Sequence, residues 1–157
     1  MKKILLYLFL ISAFLSCKKE EEAVNLPTPV ALTEFDCLVS GVAVGDGAIS
    51  TDASFGNLEI KFNDNVYNIT LQIFNISSRE EGDTILFSSP TIGTVVFNNT
   101  TYSNTYFDSS KGQIVISKLE LSSGIISGNF FFEAQDVAEN QFETINITSG
   151  VFSNIYF

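Results

Sequence analysis

"GQIVISKLELSSGIISGNFFFEA", residues 112–134, decides the fold. Ile114 and Ile116 share one parity, whereas Leu119 and Leu121 have the other. A period of two that slips by one residue is what a strand with a β-bulge produces. The bulge is expected near Ser117-Lys118. Ser122-Ser123-Gly124 supplies turn chemistry, and a second strand follows. Its expected inward residues are Ile126, Gly128, Phe130, Phe132 and Ala134, with Phe131 facing outward.

The same period runs through the flanking sequence. "LEIKF" (58–62) sets Leu58, Ile60 and Phe62 against Glu59 and Lys61, and "VYNITLQI" (66–73) sets Tyr67, Ile69, Leu71 and Ile73 against Asn68, Thr70 and Gln72. Asn63-Asp64-Asn65 between them suits a hairpin turn. The last strand, 143–157, alternates Ile145 and Ile147, then slips near Ser149-Gly150 toward Phe152. Gly inside a strand commonly marks such a slip. Weaker strands are expected at 35–40, 48–55, 84–88, 92–97 and 101–107. No segment of helical length has a clean helical period. The expected fold is all-β, an antiparallel meander of about eight to ten strands, as a β-sandwich or a flattened barrel.

The N-terminus has a different composition. Lys2 and Lys3 precede an uncharged run, Ile4 to Leu15, that is too short to span a bilayer as a helix and suits the apolar part of a secretory signal. Leu15-Ser16-Cys17 then resembles the lipobox of bacterial lipoproteins. That resemblance implies cleavage after residue 16, a lipid on Cys17 and attachment to a membrane through it. Lys18, Lys19, Glu20, Glu21 and Glu22 follow, and a lysine followed by acids resembles the surface-export signal of Bacteroidota lipoproteins. The expected organisation is a signal peptide over 1–16, a lipidated Cys and tether over 17–32, and an all-β domain over 33–157. The expected location is the outer membrane, facing outward.

Three stretches carry a further resemblance: "GNLEIKF", "YSNTYFDSSKGQIVISKLELSSGIISGNFFFEA" and "INITSGVFSNI". They are similar to a domain of unknown function in Bacteroidota lipoproteins, with the patterns I-S-G-x-F-x-F-x-A and I-T-x-G-x-F. Here these are Ile126, Ser127, Gly128, Phe130, Phe132 and Ala134, then Ile147, Thr148, Gly150 and Phe152. The chain departs from that pattern at "GVAVGDGAIS", where an aromatic is usual. The resemblance brings no catalytic residues with it.

Composition narrows the function. Eighteen acidic residues face eight basic ones, a net charge of −10. That argues against nucleic acid, whose phosphates need Lys and Arg. There is no histidine, so the commonest general base and metal ligand is missing, and no Ser-His or Cys-His pair can form. Glu59, Glu120, Glu133 and Glu143 sit at outward strand positions, where acids usually form a wet face. "GDG" (45–47) and "NDN" (63–65) offer oxygen ligands, but neither fits a calcium loop, and they read as turns. No metal or cofactor is expected. Cys37 has no partner once Cys17 is lipidated, and it reads as a buried small hydrophobe. Tyr102 and Tyr106 share parity and read as core rather than as a sugar platform. Asp83-Thr84-Ile85 resembles the O-glycosylation motif of Bacteroidota, with Thr84 as acceptor. The expected function is a non-catalytic, surface-anchored binding module with a protein or glycan partner. The alternatives are a small-ligand carrier with a barrel cavity and, last, a carboxylate-based glycoside enzyme.

Overall fold

A computed structural model describes residues 33–88, 90–104, 111–136 and 143–157. The expected signal peptide, Cys17, the charged stretch Lys18 to Glu22, the tether and Tyr106 lie outside the described residues. Within them the chain is all-β, with a short 3-10 turn at Ile76–Ser78 and no α-helix.

Eleven strands form one antiparallel sheet. They are β1 (Glu34–Val39), β2 (Val42–Ala43), β3 (Ala48–Ser54), β4 (Asn57–Asn63), β5 (Tyr67–Ile73), β6 (Thr84–Leu86), β7 (Ile92–Phe97), β8 (Thr100–Ser103), β9 (Gly112–Glu120), β10 (Ile125–Asp136) and β11 (Thr144–Tyr156). The eleventh strand, beyond the ten expected, is β2, which has only two residues. The order is β2-β1-β11-β10-β8-β7-β5-β4-β3, and the sheet does not close into a barrel. It branches at β10. Ile125 to Phe132 pair with β9, and Gln135 and Asp136 pair with β8 on the same edge. β6 then covers the far side of β9.

The bulges bend this sheet, and they fall at or beside the expected slips. Ser127 pairs with Lys118 but Gly128 pairs with Ile116, which leaves Ser117 extra. On β11, Phe132 pairs with Ile147 while Phe130 pairs with Gly150, so the phase slips at Ser149, whose φ is 53°. A third slip was not legible in the parity. Gly128 pairs with Phe152 and Ile126 with Ile155, and Asn154 between them has φ 50°. Each slip returns an apolar side chain to the inside, so Ile147, Phe152 and Ile155 are all buried despite their mixed parity.

Glycine and phenylalanine are matched across β10 and β11. Gly128 lies opposite Phe152, and Phe130 lies opposite Gly150. A Cβ on Gly128 would stand 2.5 Å from the Phe152 ring, and one on Gly150 would stand 2.6 Å from the Phe130 ring. Each ring therefore lies over a bare backbone, a known way for an aromatic to cover a strand glycine. This geometry accounts for the G-x-F spacing of both motifs.

The interior is filled by rings. Phe35 stacks on Phe62 with centroids 4.7 Å apart and meets Phe130 at 5.3 Å. Phe130 in turn lies 6.4 Å from Phe132 and 6.2 Å from Phe152, and Phe132 lies 4.9 Å from Phe87. The aliphatic remainder includes Leu58, Ile60, Ile69, Leu71, Ile114 and Ile116, all essentially without exposure. Phe131 points outward, as its parity requires.

Candidate functional site

Two turns that are distant in sequence meet at the start of β3. The Asp64 carboxylate caps its own turn by accepting N–H bonds from Val66 (2.7 Å) and Tyr67 (2.6 Å). It also accepts the Gly45 N–H at 2.8 Å. Burial alone would raise its pKa, but the three backbone donors outweigh burial and hold the carboxyl below its ordinary value. "GDG" and "NDN" are thus joined, with the central carboxylate spent on backbone. Among the described residues no cluster of three or more acidic, Cys or His side chains is placed to hold a metal.

Beside this junction lies an open cleft of about 540 Å³. Phe35, Phe62 and Ile49 form its apolar floor, and Glu34, Asp36 and Asp46 stand around it. It separates the first half of β1 from β3. Farther along, Thr51 donates its hydroxyl to the Tyr156 carbonyl at 2.8 Å, which ties β3 back to the end of β11. A second hollow of about 340 Å³ lies on the outer face around Val115, Phe131 and Val151.

β3 ends the sheet. It pairs with β4 over all seven residues and with no other strand among the described residues. Ala48, Ser50, Asp52, Ala53 and Ser54 are exposed. Proteins usually guard such an edge with charged side chains (Lys above all), Pro or a bulge, and of these β3 has only the charge of Asp52. The β3–β4 connection is a two-residue turn, with Phe55 at φ 53° and Gly56 at φ 79°. Two positive φ values define the type I′ turn, which favours Asn or Gly at these positions. The other two turns of this kind use Ser40-Gly41 and Asn98-Asn99. Among the described residues, only here does a bulky ring take the left-handed position, which costs about 1–2 kcal/mol for an L-residue. The Phe55 side chain is also fully exposed. Sequence reading singled out Phe131 as the exposed ring and passed over Phe55. The signal was present, because Phe55-Gly56 fills a gap of hairpin-turn length between two alternating runs.

The other singled-out residues fall as follows. Thr84 opens β6 and is exposed, opposite Val115. Tyr102 is buried, and its phenol pKa is raised by burial and then by the Glu143 carboxylate. Cys37 is buried, and burial, with the Asp36 and Asp64 charges behind it, pushes the thiol up to about 12. Three of the four strand acids are held by lysines: Glu59 by Lys61, Glu120 by Lys118 at 2.9 Å and Glu133 by Lys111 at 3.1 Å. Lys61 holds the Glu59 carboxyl below its ordinary value, with Gln72 helping against burial. Lys118 does the same for Glu120, with Ser123 second.

Comparison of the chain with protein-family models, with curated proteins and with solved structures finds no match.

Proposed function

We propose that this chain is a lipid-anchored binding module of a bacterial cell envelope, displayed at the surface and without a catalytic role. The observation that carries the reading is the row of phenylalanine rings in contact through the interior, Phe62-Phe35-Phe130-Phe132-Phe87, with Phe152 beside Phe130. A carrier needs an enclosed apolar cavity, and these rings occupy the space where one would lie. A glycosidase acid needs a raised pKa, whereas Glu59 and Glu120 are shifted down by lysines. The recognition surface then falls to strand edges, turns and open clefts.

The anchor is the lipid on Cys17, and Lys18, Lys19, Glu20, Glu21 and Glu22 form the export signal. The resemblance to lipoproteins of Bacteroidota supports both. A doubly or triply acylated cysteine holds a protein on a membrane stably, since each buried CH₂ contributes about 0.8 kcal/mol. Cys17→Ser is expected to move the protein from the membrane to the soluble fraction. Alanine in place of residues 18–22 is expected to protect it from protease added to intact cells. The binding role is tested by cross-linking the lipidated chain on intact cells, beside a glycan array. A recovered protein or glycan partner is the expected outcome. A co-purified small molecule, with no partner recovered, would hand the function to the carrier.

A further inference from the structure

We propose that the β3–β4 hairpin is the docking element of this chain, pairing its open edge with an extended, lysine- or arginine-bearing segment of a partner protein and anchoring Phe55 in that partner. The inference rests on the binding-module reading and names the partner's chemistry.

Three independent observations meet on this hairpin. The first is the edge. Of the free strands in the sheet, β2 and β6 offer two and three residues, whereas β3 offers seven, tied back to β11 through the Thr51 side chain and not through its backbone pairing. Half of the N–H and C=O groups of such a strand point away from its neighbour, and an added strand satisfies them. The small side chains Ala48, Ser50, Ala53 and Ser54 leave that backbone accessible.

The second is Phe55. An exposed ring on the surface is ordinary, but this one also occupies a backbone position that suits Asn or Gly. Local stability is given up at the tip of the hairpin with no contact inside the described fold to compensate. Strain of that kind points to function, and an aromatic at the centre of an interface is the commonest anchor.

The third is charge. Glu34, Asp36 and Asp46 line the cleft next to β3, and Asp52 stands on β3 itself. None of these four carboxylates is ion-paired with a lysine or arginine among the described residues. The four described basic side chains have other first partners: Lys61, Lys111 and Lys118 are paired with glutamates and Arg79 with the Phe74 carbonyl, and only Lys61, next to β3, also feels the Asp52 charge. The field at the edge is therefore acidic. It repels a second copy of this chain, whose net charge is −10, and attracts a basic strand.

The experiment uses the full lipidated chain in detergent micelles. The probe is a synthetic peptide of about nine residues, long enough to run along the edge, which alternates Lys and Val and ends in Trp. A Glu-for-Lys version is the control. Binding is read by Trp fluorescence, and its location by hydrogen exchange. The expected result is saturable binding of the Lys peptide alone, with slowed exchange at 48–54. Phe55→Asn is expected to raise the melting temperature, because Asn suits the turn, and to weaken peptide binding about tenfold, the loss typical of an interface anchor. A merely structural Phe55 would give the first change without the second, and that result overturns the anchor. Equal binding of the Glu peptide, or no protection of β3, overturns the edge. Protection of β3 that grows with protein concentration and needs no peptide would assign the edge to self-association instead. If the chain captures a partner on cells while β3 exchange is unchanged, this inference fails and the binding-module reading stands.

Discussion

The Asp64 carboxylate accepts three backbone N–H groups, and they belong to two different turns. Charge-assisted bonds of this kind exceed neutral ones, so the carboxyl stays ionised to lower pH than it would in an unfolded chain. A depressed carboxyl contributes stability that is present above its unfolded value, about 3.9. That stability is lost as pH falls through the folded value. Asp64→Ala is therefore expected to cost about 1–2 kcal/mol at pH 7, the low end of the scale for hydrogen bonds to charged groups because solvent screens this carboxylate, and much less at pH 3. Denaturant midpoints at the two pH values measure this, and an equal loss at both would show that the charge is irrelevant. Cys37 runs the other way. Its thiol is raised to about 12, chiefly by burial, so the native state keeps the proton that the unfolded chain releases above roughly pH 8.5. Its contribution is intact below that value and declines above it. A maleimide is expected to label the Cys37 peptide slowly in the native protein at pH 7.5 and fast in denaturant. Rapid native labelling would revive a redox role. The burial of Cys37 was legible from residue type alone, since a free Cys is among the most buried side chains. The Asp64–Gly45 bond was not, because nothing in either turn announces the other across a separation of 19 positions.

At the scale of the strand, parity carried most of the information. Leu58, Ile60 and Phe62 face inward on β4, and Ile126, Gly128, Phe130, Phe132 and Ala134 do so on β10. The bulge at Ser117 was readable because Ile114 and Ile116 stand against Leu119 in opposite phase. Asn154 was harder, since only Ile155 follows it inside, and one apolar residue does not establish a phase. β2 escaped notice because two residues cannot show alternation. Long strands in one clear phase should have sharply unequal faces, and Phe130 and Phe131 test that. Phe130 is 3 % exposed and Phe131 44 %. Phe130→Ala is expected to cost about 3–5 kcal/mol, the range for a buried Phe. Phe131→Ala should cost well under half of that, because much of its ring is already in water. Thermal melts of the two variants make the comparison, and equal shifts would mean that β10 is out of phase with the described pairing.

For the molecule as a whole, the question is what curls an eleven-stranded sheet that never closes. β1 and β4 lie near opposite ends of the strand order, with β11, β10, β8, β7 and β5 between them. Yet Phe35 of β1 and Phe62 of β4 are stacked at 4.7 Å with an interplanar angle of 9°. Hydrogen bonding along the sheet cannot bring these residues together. Bending at Ser117, Ser149 and Asn154 allows it, and burial of the rings drives it. Sequence reading left sandwich and flattened barrel open for this reason, since parity reports which face is inside and says nothing of where a sheet ends. The Phe35–Phe62 contact therefore measures the curl itself. Each single Phe→Ala variant should lose about 3–5 kcal/mol, and the double variant should lose less than the sum. Aromatic pairs couple by about 0.5–1.5 kcal/mol beyond their buried area, so a double-mutant cycle on denaturant unfolding should return a coupling of that size. Additive losses would mean that β1 and β4 do not meet, and the cleft between β1 and β3 would then have no floor. A coupling in the expected range, together with one unfolding transition followed by both circular dichroism and Tyr fluorescence, would show that the curled sheet folds as one cooperative unit.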